Sequence, residues 1–329
     1  MREIRYVDAI NEALTEELER DEKVFIIGED IAVGYGGGGC FGATRGLYDR
    51  FGSERVIDAP LSESALAGCG VGAALAGYRP IVEIMFGDFL TIAADQIVNC
   101  AAKMRWVLGG QVDIPIVYRT AYGAGVGAGL HHSQSFEAWF AHVPGLKVIL
   151  PSTPADAKGL LKAAVRDNDP VVFMEHKFLY ARQKGPVPDD DTLVPIGKGD
   201  IKREGDDLTI IAYGAMVQQS LEAAAEIANH GIQVEVVDPR TILPLDEEII
   251  IESVRKTGRA IVVHEAPARG GFGGEIAGLL ADKAIDYLDG PVKRVGGLFC
   301  PIPQSPEMEQ FYLPGVERIV AAAREIVVF

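Results

Sequence analysis

Arg55-Val-Ile-Asp-Ala-Pro-Leu-Ser-Glu63-Ser-Ala-Leu-Ala-Gly-Cys-Gly-Val-Gly-Ala-Ala-Leu-Ala-Gly-Tyr-Arg-Pro-Ile-Val-Glu-Ile84 decides the fold of this chain. An apolar, β-branched run at Arg55–Asp58 gives way after Pro60 to a helical stretch over Ser62–Ala76, and a second such run follows at Pro80–Ile84. Strand, helix and strand in that order make a parallel βαβ unit. Ser62 stands where an N-cap is expected. The uncharged stretch Ser64–Tyr78 has 15 residues, short of the roughly 18–20 that cross a bilayer, so the helix is expected to be buried. Gly68, Gly72 and Ala76 share one of its faces and predict close approach of another backbone, either in the core or at a subunit interface.

The alternation continues outward in both directions. Strands are expected at Val24–Ile27, Ile114–Arg119, Lys147–Leu150 and Val171–Glu175. Helices are expected at Val7–Arg20, Phe89–Met104, Ser135–His142 and Pro154–Arg166. Around Gly185-Pro-Val-Pro-Asp-Asp-Asp191 the pattern lapses, and it resumes with strands at Leu208–Tyr213, Gln233–Asp238, Ala260–His264 and Val292–Val295. Helices near Val217–His230, Glu247–Lys256, Gly274–Leu288 and Gly315–Val327 separate and follow them. This predicts an α/β chain with mainly parallel sheets covered on both faces. The domains are placed at 1–185 and 208–329, with 186–207 as a linker.

Composition narrows the function. The 329 residues carry 31 basic and 47 acidic side chains, a net charge of −16, and no Lys/Arg cluster stands against that field, which argues against nucleic acid or an anionic membrane as partner. Cys40, Cys69, Cys100 and Cys300 lie far apart with no CxxC spacing, as expected of reduced thiols in a cytoplasmic protein. Met1 leads into an amphipathic helix pattern (Tyr6, Ile10, Leu14, Leu18) rather than a basic-then-apolar leader, so no signal peptide is expected.

Glycine-rich segments need care. Gly34-Tyr-Gly-Gly-Gly-Gly39 satisfies G-x-G-x-x-G but does not run directly from strand to helix, so it is a poor dinucleotide fingerprint. Gly123–Gly129 and Arg269–Gly274 read as mobile loops, although the second opens a helix where an anion could bind. No P-loop, G-x-S-x-G elbow or H-E-x-x-H occurs. Three segments can carry chemistry. Glu63 lies just past a strand's carboxyl end, where α/β ligands gather, although a glutamate in a first helical turn also serves the helix dipole. Leu130-His131-His132-Ser-Gln-Ser135 offers a loop imidazole for acid–base work or for a loop hydrogen bond, and has no partners at zinc spacing. Glu83-Ile-Met-Phe-Gly-Asp-Phe89 places two aromatics at another strand end, where core packing is the default.

In that order, and together with Val24–Asp30, Arg79–Glu83, Ala141–Val148, Pro151–Pro154, Arg166–Pro170, Val237–Thr241 and Tyr312–Pro314, these segments resemble the beta subunit of the thiamine diphosphate-dependent decarboxylase component of 2-oxo acid dehydrogenase complexes. That group includes pyruvate, branched-chain and acetoin enzymes. The resemblance covers essentially the whole chain. It implies two α/β/α three-layer domains: a transketolase-like pyrimidine-binding domain, then a transketolase C-terminal domain serving assembly and docking. It makes Glu63 the carboxyl that meets the pyrimidine ring nitrogen, a task suited by burial, which raises a glutamate's pKa. Leu61 and Phe89 become cofactor contacts, and His132 the imidazole facing substrate and lipoyl group, with the following Ser-Gln favouring His132 over His131. Ile116, Ala164, Val165, Asp167 and Asp169 match positions that surround a structural potassium ion in relatives, through mostly backbone oxygens.

The Gly-Asp-Gly segment followed by Asn-Asn, which ties magnesium and diphosphate in thiamine enzymes, is missing; Gly87-Asp-Phe89 fails at its third position. The resemblance therefore implies half a site, completed by an alpha subunit holding Mg2+ in an α2β2 heterotetramer that works with a lipoyl-bearing acyltransferase core. The expected reaction is oxidative decarboxylation of a 2-oxo acid, with pyruvate foremost, and acyl transfer to the lipoyl arm. Acetoin cleavage, transketolase-like transfer, nicotinamide oxidoreduction resting on Gly34–Gly39, and a non-catalytic scaffold subunit are the alternatives.

Overall fold

The larger sheet is mainly parallel, as the alternation of strands and helices predicts. The computed structural model describes residues 1–33 and 37–327. Gly34, Tyr35 and Gly36, which open the first glycine run, lie outside the described residues. The chain divides into two compact units, Met1–Tyr122 with Trp139–Ile196, and Gly123–Ala138 with Gly197–Phe329.

The first unit contains β1 (Arg2–Arg5), β2 (Val24–Glu29), β3 (Val56–Ala59), β4 (Arg79–Phe86), β5 (Val117–Tyr122), β6 (Lys147–Ile149), β7 (Val171–His176) and β8 (Lys184–Val187). Strands β2 to β7 run parallel in the order β6-β7-β5-β4-β2-β3. Every residue of β5 and β7 is buried, as in a sheet covered on both faces. The helix Tyr6–Arg20 buries Tyr6, Ile10, Leu14 and Leu18 and packs on the helix Pro154–Arg166. The latter starts at Pro154 because Thr153 accepts the Asp156 N–H at 3.1 Å and proline fits the first helical position.

The second unit holds β9 (Asp200–Arg203), β10 (Leu208–Ala212), β11 (Val234–Asp238), β12 (Thr241–Leu243), β13 (Ala260–Pro267) and β14 (Lys293–Gly297). Its sheet runs β14-β13-β10-β11-β9, with β9 antiparallel to β11 and the other pairs parallel. The helices Met216–Ala228, Glu247–Thr257, Gly273–Lys283 and Val316–Ile326 accompany it.

Several expectations change. The stretch expected as a linker is structured at both ends: β8 pairs antiparallel with β1, Pro186 opposite Glu3, and β9 joins the second sheet. Pro186 is tolerated because a two-stranded ribbon is all edge. Residues 123–138, expected within the first domain, pack with the second unit, which no contiguous boundary can express. Within the chain the tightest approach of the helix Glu63–Leu75 is made by Gly70; on the Gly68–Gly72–Ala76 face, a Cβ on Gly68 would lie 3.0 Å from Gln96 Oε1. A Cβ on Gly70 would lie 2.5 Å from Ile116 Cδ1 and 2.6 Å from Val82 Cγ2, whereas one on Gly72 would meet nothing within 4 Å. The buried positions of this helix, Glu63, Leu66, Ala67, Gly70, Val71 and Ala74, follow the helical period. Arg269–Gly274, expected as a mobile loop, makes room for a ring: Cβ atoms on Gly271 and Gly273 would come within 2.4 and 2.5 Å of the His264 imidazole. That imidazole is fully buried, and desolvation lowers its pKa to about 4.

Candidate active site

Three strands of the first sheet, β3, β4 and β5, end where the candidate residues begin. β3 ends at Ala59 and the Glu63 helix follows; β4 ends at Phe86, ahead of Phe89; β5 ends at Tyr122, ahead of the glycine loop. Carboxyl ends of parallel strands are where α/β folds gather ligands.

Glu63 is the first residue of its helix and is 9% exposed, beside Leu61 at 77%. Ser62 does not cap the helix with its side chain; its hydroxyl donates to Pro60 O at 2.7 Å. The Ser62 N–H instead donates to Glu29 Oε1 at 2.9 Å. Glu29 is buried at the end of β2, and its carboxyl is pushed above the ordinary range by desolvation, opposed by the Ser62 N–H and assisted by the charge of Glu63. The first unit thus presents two neighbouring carboxyls, of which the sequence reading singled out one. Among the described residues no hydrogen bond ends on the Glu63 carboxylate, leaving it open to a ligand's donor. Phe89 is half-buried and meets Phe86 edge-on, with centroids 5.9 Å apart; Phe86 in turn meets Phe41 at 5.9 Å, and Phe41 stacks on Tyr180 at 5.0 Å. Phe86 owes its direction to a register shift between Ile84 and Phe86 in the β4–β5 pair.

Behind these aromatics Glu83 forms part of an ion network rather than the expected plain core. The fully buried Arg119 donates to Glu83 and, through two nitrogens, to Glu175, the Nη2 bond being 2.8 Å; Tyr180 also donates to Glu175 at 2.7 Å. Burial raises the Glu83 carboxyl and the Tyr180 phenol, while the two carboxylates hold the Arg119 guanidinium charged. One cation shared by two buried carboxylates is stable only with all hydrogen bonds in place.

The loop from β5 packs in the second unit. His131 is exposed and His132 half-buried. Ala124 N–H donates to Glu265 Oε1 at 2.6 Å, and Ser135 Oγ donates to the same oxygen at 3.3 Å. Gly127 N–H donates to Glu309 Oε2 at 2.9 Å, and Tyr213 OH donates to Glu137 Oε1 at 3.0 Å. Glu137 is fully buried, its Oε2 lacks a partner among the described residues, and desolvation pushes its carboxyl up to about 7. The sequence does not mark these carboxylates: Glu265 and Glu309 are distant in sequence from the histidines, and only their burial sets them apart.

The five residues matched to potassium by the resemblance, Ile116, Ala164, Val165, Asp167 and Asp169, lie near one end of β5. Arg79 donates to Val165 O at 3.0 Å and to Asp167 O at 2.9 Å. Ile116 O accepts from Val171 N, and Ala164 O from Asp167 N. Lys147 binds the Asp167 carboxylate at 2.6 Å, and Arg105 binds Asp169 at 2.6 Å. A carbonyl that accepts one hydrogen bond keeps a second lone pair for a cation, while two basic side chains, Lys147 and Arg105, already balance the two carboxylates.

Comparison with known proteins defines the class first. Residues 2–183 match the family Transketolase, pyrimidine binding domain, and residues 197–319 match Transketolase, C-terminal domain. A solved structure described as split gene transketolase, inactive beta4 tetramer, has the same fold, with a TM-score of 0.80 over 98% of each chain at 24% identity. The full-length relatives are more specific. The chain is 50% identical to 2-oxoisovalerate dehydrogenase subunit beta of Bacillus subtilis over 100% of both chains. It is 47% identical to the acetoin:2,6-dichlorophenolindophenol oxidoreductase subunit beta of the same organism, covering 99% of this chain and 97% of the relative, and 45% identical to its pyruvate dehydrogenase E1 component subunit beta over 100% of both. The chain belongs to this family of 2-oxo acid and acetoin dehydrogenase beta subunits. No helix among the described residues is long and apolar enough to cross a membrane.

Proposed function

We propose that this chain is the beta half of a thiamine diphosphate-dependent 2-oxo acid dehydrogenase, active only when an alpha subunit supplies the magnesium–diphosphate half of the site. The observation that carries the reading is Glu63: a buried carboxyl on which no hydrogen bond ends among the described residues, in the first turn of the helix that follows β3, within the pyrimidine-binding match. A ring nitrogen is the partner such a carboxyl fits. Thiamine diphosphate, when bound, supplies the carbon nucleophile that releases carbon dioxide from the 2-oxo acid. Glu63 holds a proton at the pyrimidine ring nitrogen, and Glu29, through the Ser62 N–H, fixes the turn from which Glu63 projects. Phe89 and Leu61 supply apolar surface for the ring and exclude water. His132 donates a proton to the departing lipoyl sulfur, since an imidazole near neutral pH can give and regain one.

The substrate is proposed to be a small 2-oxo acid, pyruvate in the first instance, with branched-chain 2-oxo acids and acetoin assayed beside it. Assembly is proposed as α2β2, docked to a lipoyl-bearing acyltransferase core in the cytoplasm. Potassium is proposed at the oxygens of Ile116, Ala164, Val165, Asp167 and Asp169.

The test uses Glu63→Gln and the parent, each with and without the alpha chain. Both should melt alike, and neither should turn over a 2-oxo acid alone. With alpha present, Glu63→Gln should lose about 100-fold in turnover, the loss typical of a missing acid–base group. Turnover within threefold of the parent would remove Glu63 from this role, and tight magnesium-dependent cofactor binding by this chain alone would remove the shared site.

A further inference from the structure

We propose that Glu265 is the positioning residue of the histidine loop, one carboxylate oxygen fastening both ends of residues 124–135. Glu265 Oε1 accepts the Ala124 N–H at 2.6 Å and the Ser135 hydroxyl at 3.3 Å. The segment between these two donors contains His131 and His132. Glu265 is itself 4% exposed and projects from β13, an interior strand of the second sheet, so the clamp is mounted on a rigid element. Ala124 is wholly buried against Ile302 and Tyr312, which keeps water from competing for its N–H.

Two further bonds support the same segment. Glu309 takes the Gly127 N–H at 2.9 Å, and Glu137, immediately beyond the loop, takes the Tyr213 hydroxyl at 3.0 Å. Glu265 ties the two ends to each other. Hydrogen bonds to an ionised acceptor are shorter and stronger than neutral ones, and closing the segment at a single oxygen removes most of the loop's freedom to carry His132 away from one position. Because a single oxygen does both tasks, an amide oxygen can replace it.

The role in catalysis rests on the proposed part of His132 in acyl transfer, and the test separates the two. Hydrogen–deuterium exchange is followed in the full chain for Glu265→Ala, Glu265→Gln, Ser135→Ala and the parent. The same proteins, with His132→Ala, are then assembled with the alpha chain and assayed for lipoyl-linked and artificial-acceptor turnover. Glu265→Ala should speed exchange across 123–138 at least tenfold, with little change in the first unit. It should lower lipoyl-linked turnover at least tenfold more than artificial-acceptor turnover, and Glu265→Gln should restore both properties. Unchanged exchange across 123–138 overturns the clamp, as does a Gln variant no better than Ala. If Glu265→Ala fails to fold, Ser135→Ala decides, since it opens one end of the clamp without burying a new group: exchange at 130–135 must rise. Should the loop loosen while His132→Ala leaves lipoyl transfer intact, the clamp stands and the assigned role of His132 falls.

Discussion

Replacing Glu137 with glutamine should stabilise the second unit, and more so as the pH rises. Glu137 is fully buried, its Oε1 accepts from Tyr213, and among the described residues its Oε2 has no partner. Desolvation pushes its pKa up to about 7, from an ordinary value of 4.5, with the charge of Glu265 adding to the rise. The folded state therefore keeps the proton that the unfolded chain gives up above pH 4.5. The protonated carboxyl's contribution is complete below that pH, is lost as pH rises toward the folded value, and levels off beyond it. At about 1.4 kcal/mol per pKa unit the full loss is of order 3 kcal/mol. Glutamine keeps an oxygen for Tyr213 and has no proton to lose, so its advantage over the parent should grow by about 2–3 kcal/mol between about pH 5 and pH 8. In thermal melts that is a widening of about 6–12 °C. All other titrating groups are common to both proteins, so the difference isolates this residue. An advantage independent of pH, or one that shrinks toward alkaline pH, would refute the buried neutral carboxyl.

Two further outcomes test the packing of the first unit. Gly70→Ala drives a methyl to within 2.5 Å of Ile116 and 2.6 Å of Val82, so denaturant unfolding should show a loss of about 1–3 kcal/mol, while Gly72→Ala, which meets nothing, should be neutral or slightly stabilising as a helical alanine. Arg119→Met leaves Glu83 and Glu175 buried without their cation; it should cost about 3–5 kcal/mol near neutral pH, and acidification should recover part of it as the freed carboxyls take up protons, a recovery that pH-dependent melting of variant and parent would reveal.

How much of this could be read in the residues differs from element to element. The helix over Pro154–Arg166 was legible to the residue because a threonine cap and a first-turn proline are local signals, and local signals survive any tertiary context. The strands were legible as apolar runs, and the alternation gave the parallel pairing. Strand β9 and the β1–β8 ribbon were not: their residues are polar, half-exposed and interrupted by proline, and only a partner distant in sequence makes them strands. Gly70 was passed over in favour of Gly68 and Gly72 because all three look alike until the sheet's position is known. Glu63 and His132 stood out through their neighbours, whereas Glu29, Glu137 and Glu265 lie within strand ends and helix starts where a carboxylate has many bland uses. What marks them is burial, which no single sequence displays.

The glycine loop shows why those unmarked carboxylates belong with the histidines. Gly123, Gly125, Gly127 and Gly129 all have φ between 71° and 93°, a region that side chains adopt only under strain. Alternating glycine is how the chain reaches such a path, and each glycine costs about 0.5–1 kcal/mol of conformational entropy when ordered. Left to itself, a segment of that composition samples many shapes and cannot hold an imidazole in one place. The second unit answers with the carboxylates of Glu265 and Glu309, which accept from Ala124 N–H, Gly127 N–H and the Ser135 hydroxyl, and charge-assisted bonds of about 1.5–3 kcal/mol each are of the size needed to offset the ordering of four glycines. The loop's freedom and its fastening are therefore one design: glycine lets the backbone turn past the end of β5, and buried glutamates of the second unit fix where it goes. A loop of ordinary residues would not need Glu265, and Glu265 without the glycines would have no backbone N–H turned toward it.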